Sequence, residues 1–553
     1  MDMKSQISEL LSKAISLHQA GNLNEAEALY RTILSSNSKH FDALTLLGNI
    51  YFHRGNLEEG VRLIGLSLDI NPKQPGALNN RGNALCDLKR YDEALTSFDT
   101  AIALKPGYAE AYNNRGNALN DLNRPDEALA SCNQAIALKP GFAEACNNRG
   151  NALNDLNRPD EALASFDQAI ALNPGYAEAY YNRGNALKDL KRPDEALPSY
   201  DQAIALKPGY AEAYNNRGVA FNDLKRHAEA LASYDQAIAL NPGYPETYSN
   251  KGVLKILLGE YEEGWELYEW RLKLDVAKKF TRNFPKPLWL GKESLADKTI
   301  LLHTEQGLGD SVQFCRYVPM VEALGAKVVL EVQEPLVGLI STLKDSIRVI
   351  PRGSPLPEFD CHCPLMSLPL AFKTTVSTIP AKIPYLATDP NKQKLWQKKM
   401  GAKTKPRIGL VWSGAQIHQN DHNRSIPLDL LYPLLDLDLD FHCLQKEIRP
   451  LDRELLVKHR QIKTYENDLN DFSDTAALVS EMNLVISVDT SVAHLAGALG
   501  KPVWILLPFA PDYRWMTERE DSPWYPTARL FRQSQIGDWT SIIAKVAAEL
   551  KVL

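Results

Sequence analysis

Cysteine is scarce in this sequence of 553 residues. The seven cysteines are odd in number and scattered, at positions Cys86, Cys132, Cys146, Cys315, Cys361, Cys363 and Cys443. Secreted disulfide-rich domains carry an even number of cysteines at short spacings, so this pattern argues against a disulfide framework. We therefore expect a reducing environment, and a cytoplasmic location fits best.

Basic charge and long apolar runs are lacking as well. The 62 Lys and Arg residues are outnumbered by 68 Asp and Glu residues, and no Lys/Arg-rich run could follow a phosphate backbone. Nucleic acid is therefore not expected as a partner. A mean hydropathy of −0.30 leaves no room for a membrane-spanning stretch. The first residues, MDMKSQISELLSKAI, predict a structural helix and not a signal peptide, because apolar residues recur between charges at helical spacing.

Metal-binding patterns are few. Cys361, His362 and Cys363 are adjacent, whereas the ligand pairs of zinc sites are usually separated by about two to four residues, and no second pair lies nearby. No Asp-x-Asp motif stands at the end of a predicted strand. We therefore expect no metal and no other cofactor.

A period of 34 residues dominates the N-terminal half. The dipeptide Arg-Gly recurs at this interval, at residues 81–82, 115–116, 149–150, 183–184 and 217–218. Alanine recurs in the same way from Ala94 to Ala230, and proline recurs from Pro72 to Pro242. Glycine allows two helices to approach closely, alanine fits where the second helix is crowded, and proline ends that helix. A repeat of this period predicts stacked helical hairpins. This agrees with the length of the chain, which is too great for a single hydrophobic core.

These positions resemble the tetratricopeptide-repeat family, and segments such as AEAYNNRGNALNDLNRPDEALASCNQAIALKP match its small, aromatic and proline positions. The resemblance implies an all-α superhelix over residues 1–275, with repeats from about residue 7 to residue 244 and a capping unit that ends near YEEGWELYEWRLK. Arg115 and its equivalents stand where the family usually has leucine. We expect the aliphatic stem to pack while the charge reaches outward to solvent.

A column of asparagines follows the first helix of successive repeats. Its members are Asn80, Asn114, Asn148, Asn182, Asn216 and Asn250. The column resembles the asparagine ladder of the O-GlcNAc transferases, which implies that these side chains hold an extended polypeptide on the concave face. An amide both donates and accepts hydrogen bonds, so it pairs with any peptide group regardless of sequence. The alternative is that recent duplication copied a neutral solvent residue along with the rest of the repeat.

The repeat pattern ends after residue 273, and the polar, proline-bearing segment 276–297 is predicted to be a linker. From residue 298, apolar runs alternate with helical segments, first in KTILLHTEQ and AKVVLEVQ and then in RIGLVWSG, DFHCLQ, NLVISVD and PVWILLP. Such alternation predicts parallel sheets with crossover helices, whose ligands lie beyond the carboxyl ends of the strands. We predict an α/β domain of two Rossmann-like lobes, residues 298–400 and 401–553, with a cleft between them.

Two motifs of this half resemble the heptosyltransferase family of GT-B glycosyltransferases. They are EQGLGDSVQFCRYVP, similar to the Gly-Asp turn of that family, and SVDTSVAHLAGALGKP, similar to its donor-binding segment. The resemblance implies a GT-B fold, a nucleotide-sugar donor bound by the second lobe, and inversion at the sugar carbon. Ser491 stands where the family has glycine, which removes conformational freedom but adds a hydroxyl donor.

The predicted donor site lies where the strand NLVISVD meets the next helix. Thr490, Ser491 and Val492 open that helix, so free N–H groups and a partial positive charge favour a diphosphate there. By resemblance, Asp489 contacts the transferred sugar and His494 lies near the phosphates.

The remaining candidate site residues are Gly309, Asp310, Arg424 and Lys446. By resemblance, Asp310 takes the proton from the acceptor hydroxyl, and such a base accelerates a reaction by about a hundred- to ten-thousandfold. The alternative is that Asp310 only caps the helix that follows it. Arg424 is our candidate for the basic residue that the family presents to phosphate, and Lys446 is the second. Both could instead be ordinary loop charges.

Aromatic residues near the C-terminus allow two interpretations. The segments Asp512-Tyr513-Arg514-Trp515 and Trp524-Tyr525 could line the cleft and stack a base or sugar, or they could fix the final helix, TSIIAKVAAEL, on the first lobe. We favour packing.

Three functions are consistent with this organisation. The leading hypothesis is a cytoplasmic, metal-independent protein glycosyltransferase, in which the repeats present a polypeptide whose Ser, Thr or Asn reaches Asp310. A second keeps the chemistry but makes a glycan or a lipid-linked saccharide the acceptor, with the repeats docking the enzyme in an assembly. In a third, the repeats form a scaffold for protein partners and the C-terminal domain has lost turnover.

Overall fold

The computed structural model describes residues 3–275, 282, 284–416 and 420–552. The predicted linker, 276–297, therefore lies partly outside the described residues. The chain divides into two compact units, residues 1–220 and 221–553. None of the described helices is long and apolar enough to cross a membrane.

Sixteen helices form the described chain from residue 3 to residue 268. They are α1 (Met3–Gln19), α2 (Leu23–Ser36), α3 (Phe41–His53), α4 (Leu57–Ile70), α5 (Pro75–Asp87), α6 (Tyr91–Leu104), α7 (Ala109–Asp121), α8 (Pro125–Leu138), α9 (Ala143–Asp155), α10 (Pro159–Leu172), α11 (Ala177–Asp189), α12 (Pro193–Leu206), α13 (Ala211–Asp223), α14 (His227–Leu240), α15 (Pro245–Leu257) and α16 (Tyr261–Tyr268). A 3₁₀ turn, Glu269–Lys273, follows them. The predicted helical repeats are confirmed, because each period forms one helical pair.

The recurring glycine is required by the contact between the two helices of a pair. A Cβ atom on Gly150 would lie 2.5 Å from the ring of Phe166, and one on Gly184 would lie 2.6 Å from the ring of Tyr200. Such distances are too short for a real side-chain contact, and a close-packed core leaves little room for adjustment. Glycine therefore recurs every 34 residues because the same helix–helix contact recurs in each repeat.

The recurring arginine ties one repeat to the next. Arg115 Nε lies 2.6 Å from Asp99 Oδ1 of the preceding repeat, and its side chain is 24% exposed. Arg183 makes the same contact with Asp167 and also donates to Ser199 Oγ of its own repeat at 2.7 Å. The expectation that this charge reaches outward to solvent is therefore wrong in part, because the guanidinium is held between two helices.

Two parallel sheets form the rest of the described chain. Their strands are β1 (Thr299–His303), β2 (Lys327–Val332), β3 (Arg348–Pro351), β4 (Cys361–Pro364), β5 (Arg407–Val411), β6 (Asp440–Cys443), β7 (Ile462–Lys463), β8 (Leu484–Val488), β9 (Val503–Leu507) and β10 (Ala528–Arg532). The first sheet has the order β3-β2-β1-β4, and the second has the order β10-β9-β8-β5-β6-β7. Both orders are those of doubly wound Rossmann folds, which confirms the prediction of two Rossmann-like lobes.

The register and the connecting helices complete this fold. Thr299 of β1 pairs with Lys327 of β2, and Ile408 of β5 pairs with Leu484 of β8. The helices between strands are α17 (Leu308–Phe314), α18 (Val318–Glu322), α19 (Val337–Ile340), α20 (Leu368–Ala371), α21 (Pro390–Met400), α22 (Asp421–Arg424), α23 (Tyr432–Leu435), α24 (Pro450–Lys458), α25 (Phe472–Ser480) and α26 (Ser491–Ala498), and α27 (Trp539–Leu550) follows β10.

The final helix, α27, packs on the second sheet. Trp539, Ile542 and Val546 are buried in one hydrophobic core with Phe441 of β6 and Phe531 of β10. The interpretation that we favoured, in which aromatic residues fix this helix on the first lobe, is therefore wrong. Its apolar face is already covered by its own lobe.

The Cys-His-Cys segment forms β4, at the edge of the first sheet. Because side chains alternate between the faces of a strand, Cys361 and Cys363 lie on the face opposite to His362. The His362 Nδ1 atom instead lies 3.2 Å from His303 Nε2 of β1. In the part of the chain that the structure describes, no three His, Cys, Asp or Glu side chains converge as metal ligands.

Candidate active site

The reversal of strand order identifies one edge of each sheet. The order reverses between β1 and β4 in the first sheet, and between β5 and β8 in the second. Ligands of doubly wound sheets bind beyond the carboxyl ends of the strands at this point. The turn Gly307 to Asp310 follows β1, and Asp489 follows β8. Both predicted motifs therefore lie at the positions where such sheets bind ligands.

The two motifs are in contact. A Cβ atom on Gly309 would lie 2.9 Å from His494 Cδ2 and 3.4 Å from Ser491 Cα. Any larger residue at position 309 would push α17 away from α26. The absence of a side chain at Gly309 thus brings the two lobes together at the start of α26.

The N-terminus of α26 is the candidate position for an anion. The helix begins at Ser491, as predicted, with Thr490 as its N-cap residue, and the Thr490 side chain makes no capping hydrogen bond. The Thr490 hydroxyl lies 3.1 Å from the Ser487 hydroxyl instead. The first N–H groups of a helix have no partner within it, so those of Ser491 and Val492 are available to a phosphate group.

Asp489 is largely buried at the end of β8, and its side chain is 16% exposed. Burial and the nearby Asp512 raise the pKa of Asp489 to about 6, although Arg514 and Arg424 act in the opposite direction. Its Oδ1 atom lies 3.9 Å from His494 Nε2. Asp489 therefore binds a proton more readily than an exposed aspartate does.

His494 is neutral at physiological pH. Burial and the neighbouring cations, of which Arg514 contributes most, hold the pKa of His494 well below its usual value. Its Nδ1 atom lies 2.9 Å from the Tyr525 hydroxyl, and the Trp515 indole stacks on its ring at 5.4 Å between centroids. A neutral imidazole held in this way offers hydrogen bonds to a ligand without adding charge.

Replacing Asp489 with asparagine is expected to stabilise the protein above pH 6. A carboxyl whose pKa is raised by folding contributes most to stability below its unfolded pKa, and that contribution is lost as pH rises through the folded value near 6. The loss amounts to about 3 kcal/mol for a shift of roughly two units. Thermal unfolding of Asp489→Asn and of the wild type should therefore diverge progressively between pH 4 and pH 7.

The exposed Asp436 provides the matched control for this measurement. The variant Asp436→Asn changes an exposed carboxyl to an amide and should alter the free energy of unfolding by about 0.5 kcal/mol or less. A gain in Asp489→Asn that did not change with pH would contradict the assignment.

Arg424 lies at the junction of β8 and α26. Its NH1 group donates to the Asp489 carbonyl oxygen at 2.9 Å. Lys446 is exposed, and its Nζ donates to the Asn470 carbonyl oxygen at 2.8 Å. Within the described chain, Arg424 thus contacts the predicted donor segment whereas Lys446 does not. Residues 417–419, which belong to the segment that precedes Arg424, lie outside the described residues.

Both carboxylate oxygens of Asp310 are engaged. Oδ2 accepts a hydrogen bond from the Gly307 N–H at 2.8 Å, and Oδ1 is paired with the Arg514 guanidinium. Asp310 therefore caps α17, as the alternative interpretation expected. The same side chain also faces the second lobe, so a capping role and a catalytic role are compatible.

Arg514 is the site residue that our sequence analysis missed. Its buried guanidinium also pairs with Asp512 Oδ1 at 2.8 Å and donates to Gln313 Oε1 at 2.6 Å. The side chain therefore joins the two lobes at the candidate base. The only indication of this role in the sequence was the pair of charges in the segment Asp512-Tyr513-Arg514-Trp515. The sequence does not show that Arg514 lies close to Asp310.

The aromatic residues beside Arg514 have two roles. Trp515 covers His494, whereas Tyr513 packs against Trp265 and Tyr268 of α16, with ring centroids 6.1 and 5.7 Å apart. The segment therefore contacts the candidate site and also packs against the last helical pair, whereas the final helix packs on its own sheet.

The asparagine column is hydrogen-bonded to other side chains of the preceding repeat. All six members are half-buried. Five of them donate from Nδ2 to a side-chain oxygen of the preceding repeat: Asn80 to Asn49 at 3.3 Å, Asn114 to Asn79 at 3.1 Å, Asn148 to Asn113 at 3.0 Å, Asn182 to Asn147 at 3.0 Å and Asn216 to Asn185 at 2.9 Å. These bonds link the repeats and fix the amide orientations. Asn216 donates a second time, to the Tyr181 hydroxyl at 3.0 Å, whereas in the described chain the amides of Asn80, Asn114, Asn148 and Asn182 keep a second N–H group.

Comparison with known families gives matches in both halves of the chain. Residues 470–514 match the model of glycosyltransferase family 9 (heptosyltransferase), a segment that holds β8, the start of α26 and Arg514. Tetratricopeptide-repeat models match residues 82–122, 109–142, 147–211 and 182–245. The chain joins tetratricopeptide repeats to a domain similar to glycosyltransferase family 9. Residues 19–101 also match the model of anaphase-promoting complex subunit 3.

Individual proteins are similar over part of the chain. Protein FlbA of Caulobacter vibrioides is 28% identical over 323 residues, which cover 54% of this chain and 53% of FlbA. The chain thus spans about half the length of this curated relative.

Solved structures are similar over the repeats. A tetratricopeptide repeat protein from Parabacteroides merdae is 20% identical, with a TM-score of 0.39, and covers 48% of this chain and 99% of its own. YrrB, described as a TPR protein with an unusual peptide-binding site, is 26% identical, with a TM-score of 0.28, and covers 33% and 95%.

Proposed function

We propose that the protein is a glycosyltransferase that transfers a sugar from a nucleotide-sugar donor to a polypeptide bound by the tetratricopeptide repeats. The main support is the contact of Gly309 with Ser491 and His494, because it brings the candidate base next to the candidate donor segment. In this proposal residues 1–275 bind the acceptor, 276–297 link the domains, 298–400 carry the base, and 401–553 bind the donor. The seven free thiols favour a cytoplasmic location.

The donor diphosphate would bind at the start of α26. The N–H groups of Ser491 and Val492 would donate hydrogen bonds to its oxygens, with Arg424 providing the positive charge. As the bond to the sugar breaks, negative charge develops on the departing phosphate, and these preorganised donors stabilise it without a metal. Asp489, at the entrance to the helix, would accept a hydrogen bond from a sugar hydroxyl.

The acceptor hydroxyl or amide would approach from the side of Asp310. This carboxylate would remove the acceptor proton as the acceptor attacks the anomeric carbon, with inversion. For that step the Arg514 guanidinium must rotate away from Oδ1 or turn towards the donor phosphate. The fixed amides of the repeats would hold the polypeptide backbone, since an amide side chain pairs with any peptide group.

A second candidate function is a scaffold without turnover, and one observation favours it. The oxygens of Asp310 are already occupied by Gly307 and Arg514, and Trp515 covers His494. A domain that kept this arrangement in the presence of a nucleotide sugar would bind protein partners through its repeats alone.

Nucleotide sugars are expected to raise the unfolding temperature of the protein. A ligand at about one hundred times its Kd adds roughly 2.7 kcal/mol to the free energy of unfolding. Arg424→Ala should remove most of this shift because the guanidinium contacts the donor segment, whereas Lys446→Ala should keep it. A differential scanning screen against the common nucleotide sugars measures both. Equal loss in the two variants would mean that Arg424 has no specific role.

Labelled nucleotide sugars separate the possible acceptors. The protein is incubated with cell extract and a donor that the screen has identified, and the products are divided into protein and saccharide fractions. Label in protein bands is expected. Label in saccharide alone would move the acceptor to a glycan or a lipid-linked sugar, and a donor that binds without transfer would support the scaffold.

A further inference from the structure

A cavity of about 550 Å³ opens on the first three tetratricopeptide repeats. Residues of α1, α3 and α5 form most of its wall, so it lies on the first helices of the repeats, where the asparagine column also runs. Asn80 belongs to both, and its Nδ2 donates to Asn49 Oδ1 at 3.3 Å inside the cavity. The cavity therefore continues the amide column at its N-terminal end.

The cavity exists where the repeat sequence departs from its period. Leu46, Phe52 and His53 line it, whereas the later repeats have Asn114, Asn120 and Asp121 at the same positions. Apolar and aromatic side chains have thus replaced amides and a carboxylate at three neighbouring positions. If the cavity wall were only a duplicated surface that faces solvent, these three positions would not all differ in the same direction from the later repeats.

One negative charge stands at the edge of this apolar wall. Asp87 lines the cavity and is exposed, and in the described part of the chain its carboxylate has no cationic partner. His18 stands at the other side, where burial and the nearby His53 lower its pKa. The His18 and His53 rings meet edge to face, with centroids 6.2 Å apart. At neutral pH the wall therefore combines aromatic rings with a free carboxylate.

We propose that this cavity binds a lysine or arginine side chain of an extended polypeptide. The aliphatic stem packs on Leu46 and Phe52, and the cationic head reaches the Asp87 carboxylate at the rim, as long basic side chains do at apolar surfaces. The Asn49 and Asn80 amides hold the adjoining backbone. The cavity thus adds sequence preference to a column of amides that by itself has none.

This inference rests on the proposed polypeptide binding by the repeats, but not on sugar transfer. It is tested by binding alone, without donor, so a negative result leaves the transferase question open. Conversely, a protein without transferase activity can still bind the peptide.

Fluorescence anisotropy with two synthetic peptides of equal length provides the test. One carries lysines in a glycine-serine background and the other carries glutamates at the same positions, and the full-length protein is titrated against each at neutral pH. The lysine peptide is expected to bind and the glutamate peptide is not. Asp87→Asn and Phe52→Ala should each weaken binding about fivefold.

Asp155→Asn is the matched control, because Asp155 occupies the same repeat position as Asp87 but lies outside the cavity. It should change the affinity less than twofold, within the range of an exposed charge. An equal effect of Asp87→Asn and Asp155→Asn would assign binding to the aspartates that recur at this repeat position, not to the cavity, and would overturn the proposal. Preference for the glutamate peptide, or failure to bind either peptide, would overturn it as well.

Discussion

Replacing Asp310 with asparagine is expected to leave donor binding intact and to reduce sugar transfer by about a hundred- to ten-thousandfold. The amide oxygen of asparagine can still accept the Gly307 N–H, so the cap of α17 is kept. It cannot accept a proton from the acceptor. Donor-induced thermal shift and transfer of labelled sugar are measured on the same preparation, so that binding and turnover are separated.

Asp538 offers a matched control for the capping role of Asp310. Asp538 is the N-cap residue of α27 and accepts a hydrogen bond from the Ser541 N–H at 3.1 Å, far along the chain from either motif. Asp538→Asn therefore makes the same chemical change at a residue that only caps a helix. We expect transfer by this variant to equal that of the wild type. Full turnover by Asp310→Asn would remove Asp310 from the mechanism.

Replacing Arg514 with methionine is expected to lower the free energy of unfolding by about 3–5 kcal/mol. The buried guanidinium pairs with Asp310 and Asp512 and donates to Gln313, so its removal leaves two carboxylates without their cationic partner. Methionine keeps much of the volume, which limits any cavity effect. Chemical denaturation of the C-terminal domain, followed by tryptophan fluorescence, measures the change.

Two further variants identify the cause of that loss. Arg529 forms an exposed pair with Glu549, so Arg529→Met should cost about 1 kcal/mol or less. The double variant Arg514→Met with Asp310→Asn should be more stable than Arg514→Met alone, because one unpaired carboxylate has been neutralised. If Arg514→Met were no worse than Arg529→Met, the interlobe ion pair would not contribute to stability.

The repeat architecture was predictable because its contacts are local. Each helical pair buries its own small residues, such as Gly150 against Phe166, and the next pair repeats the arrangement. A fixed period in the sequence therefore translates directly into a fixed structural unit. The repeated arginine was expected to reach solvent, but it pairs with an aspartate of the preceding repeat. This partner was not predictable from local spacing, because Asp99 lies sixteen residues before Arg115 and on a different helix.

The two segments that form the candidate site were each predictable from the sequence, although their contact was not. The segment around Asp489 and His494 and the turn at Asp310 each follow a strand, and a strand followed by a helix is visible as a change in apolar spacing. Strands β3, β4, β7 and β10 were not assigned, because β3, β4 and β7 have only two to four residues and the apolar residues of β10 are interrupted by two arginines. One of them, β4, contains the Cys-His-Cys segment considered as a metal site.

The sequence by itself determined that the chain joins helical repeats to an α/β domain, and it located the two motifs on which the proposed chemistry depends. These features depend on periodicity and on residues near one another in the chain. Tertiary structure alone decided that Gly309 meets His494, that Arg514 reaches Asp310 from the other lobe, and that the asparagines bond to one another. Such contacts join residues far apart in sequence, and their geometry follows from strand order and from the packing of whole lobes, which no local pattern encodes.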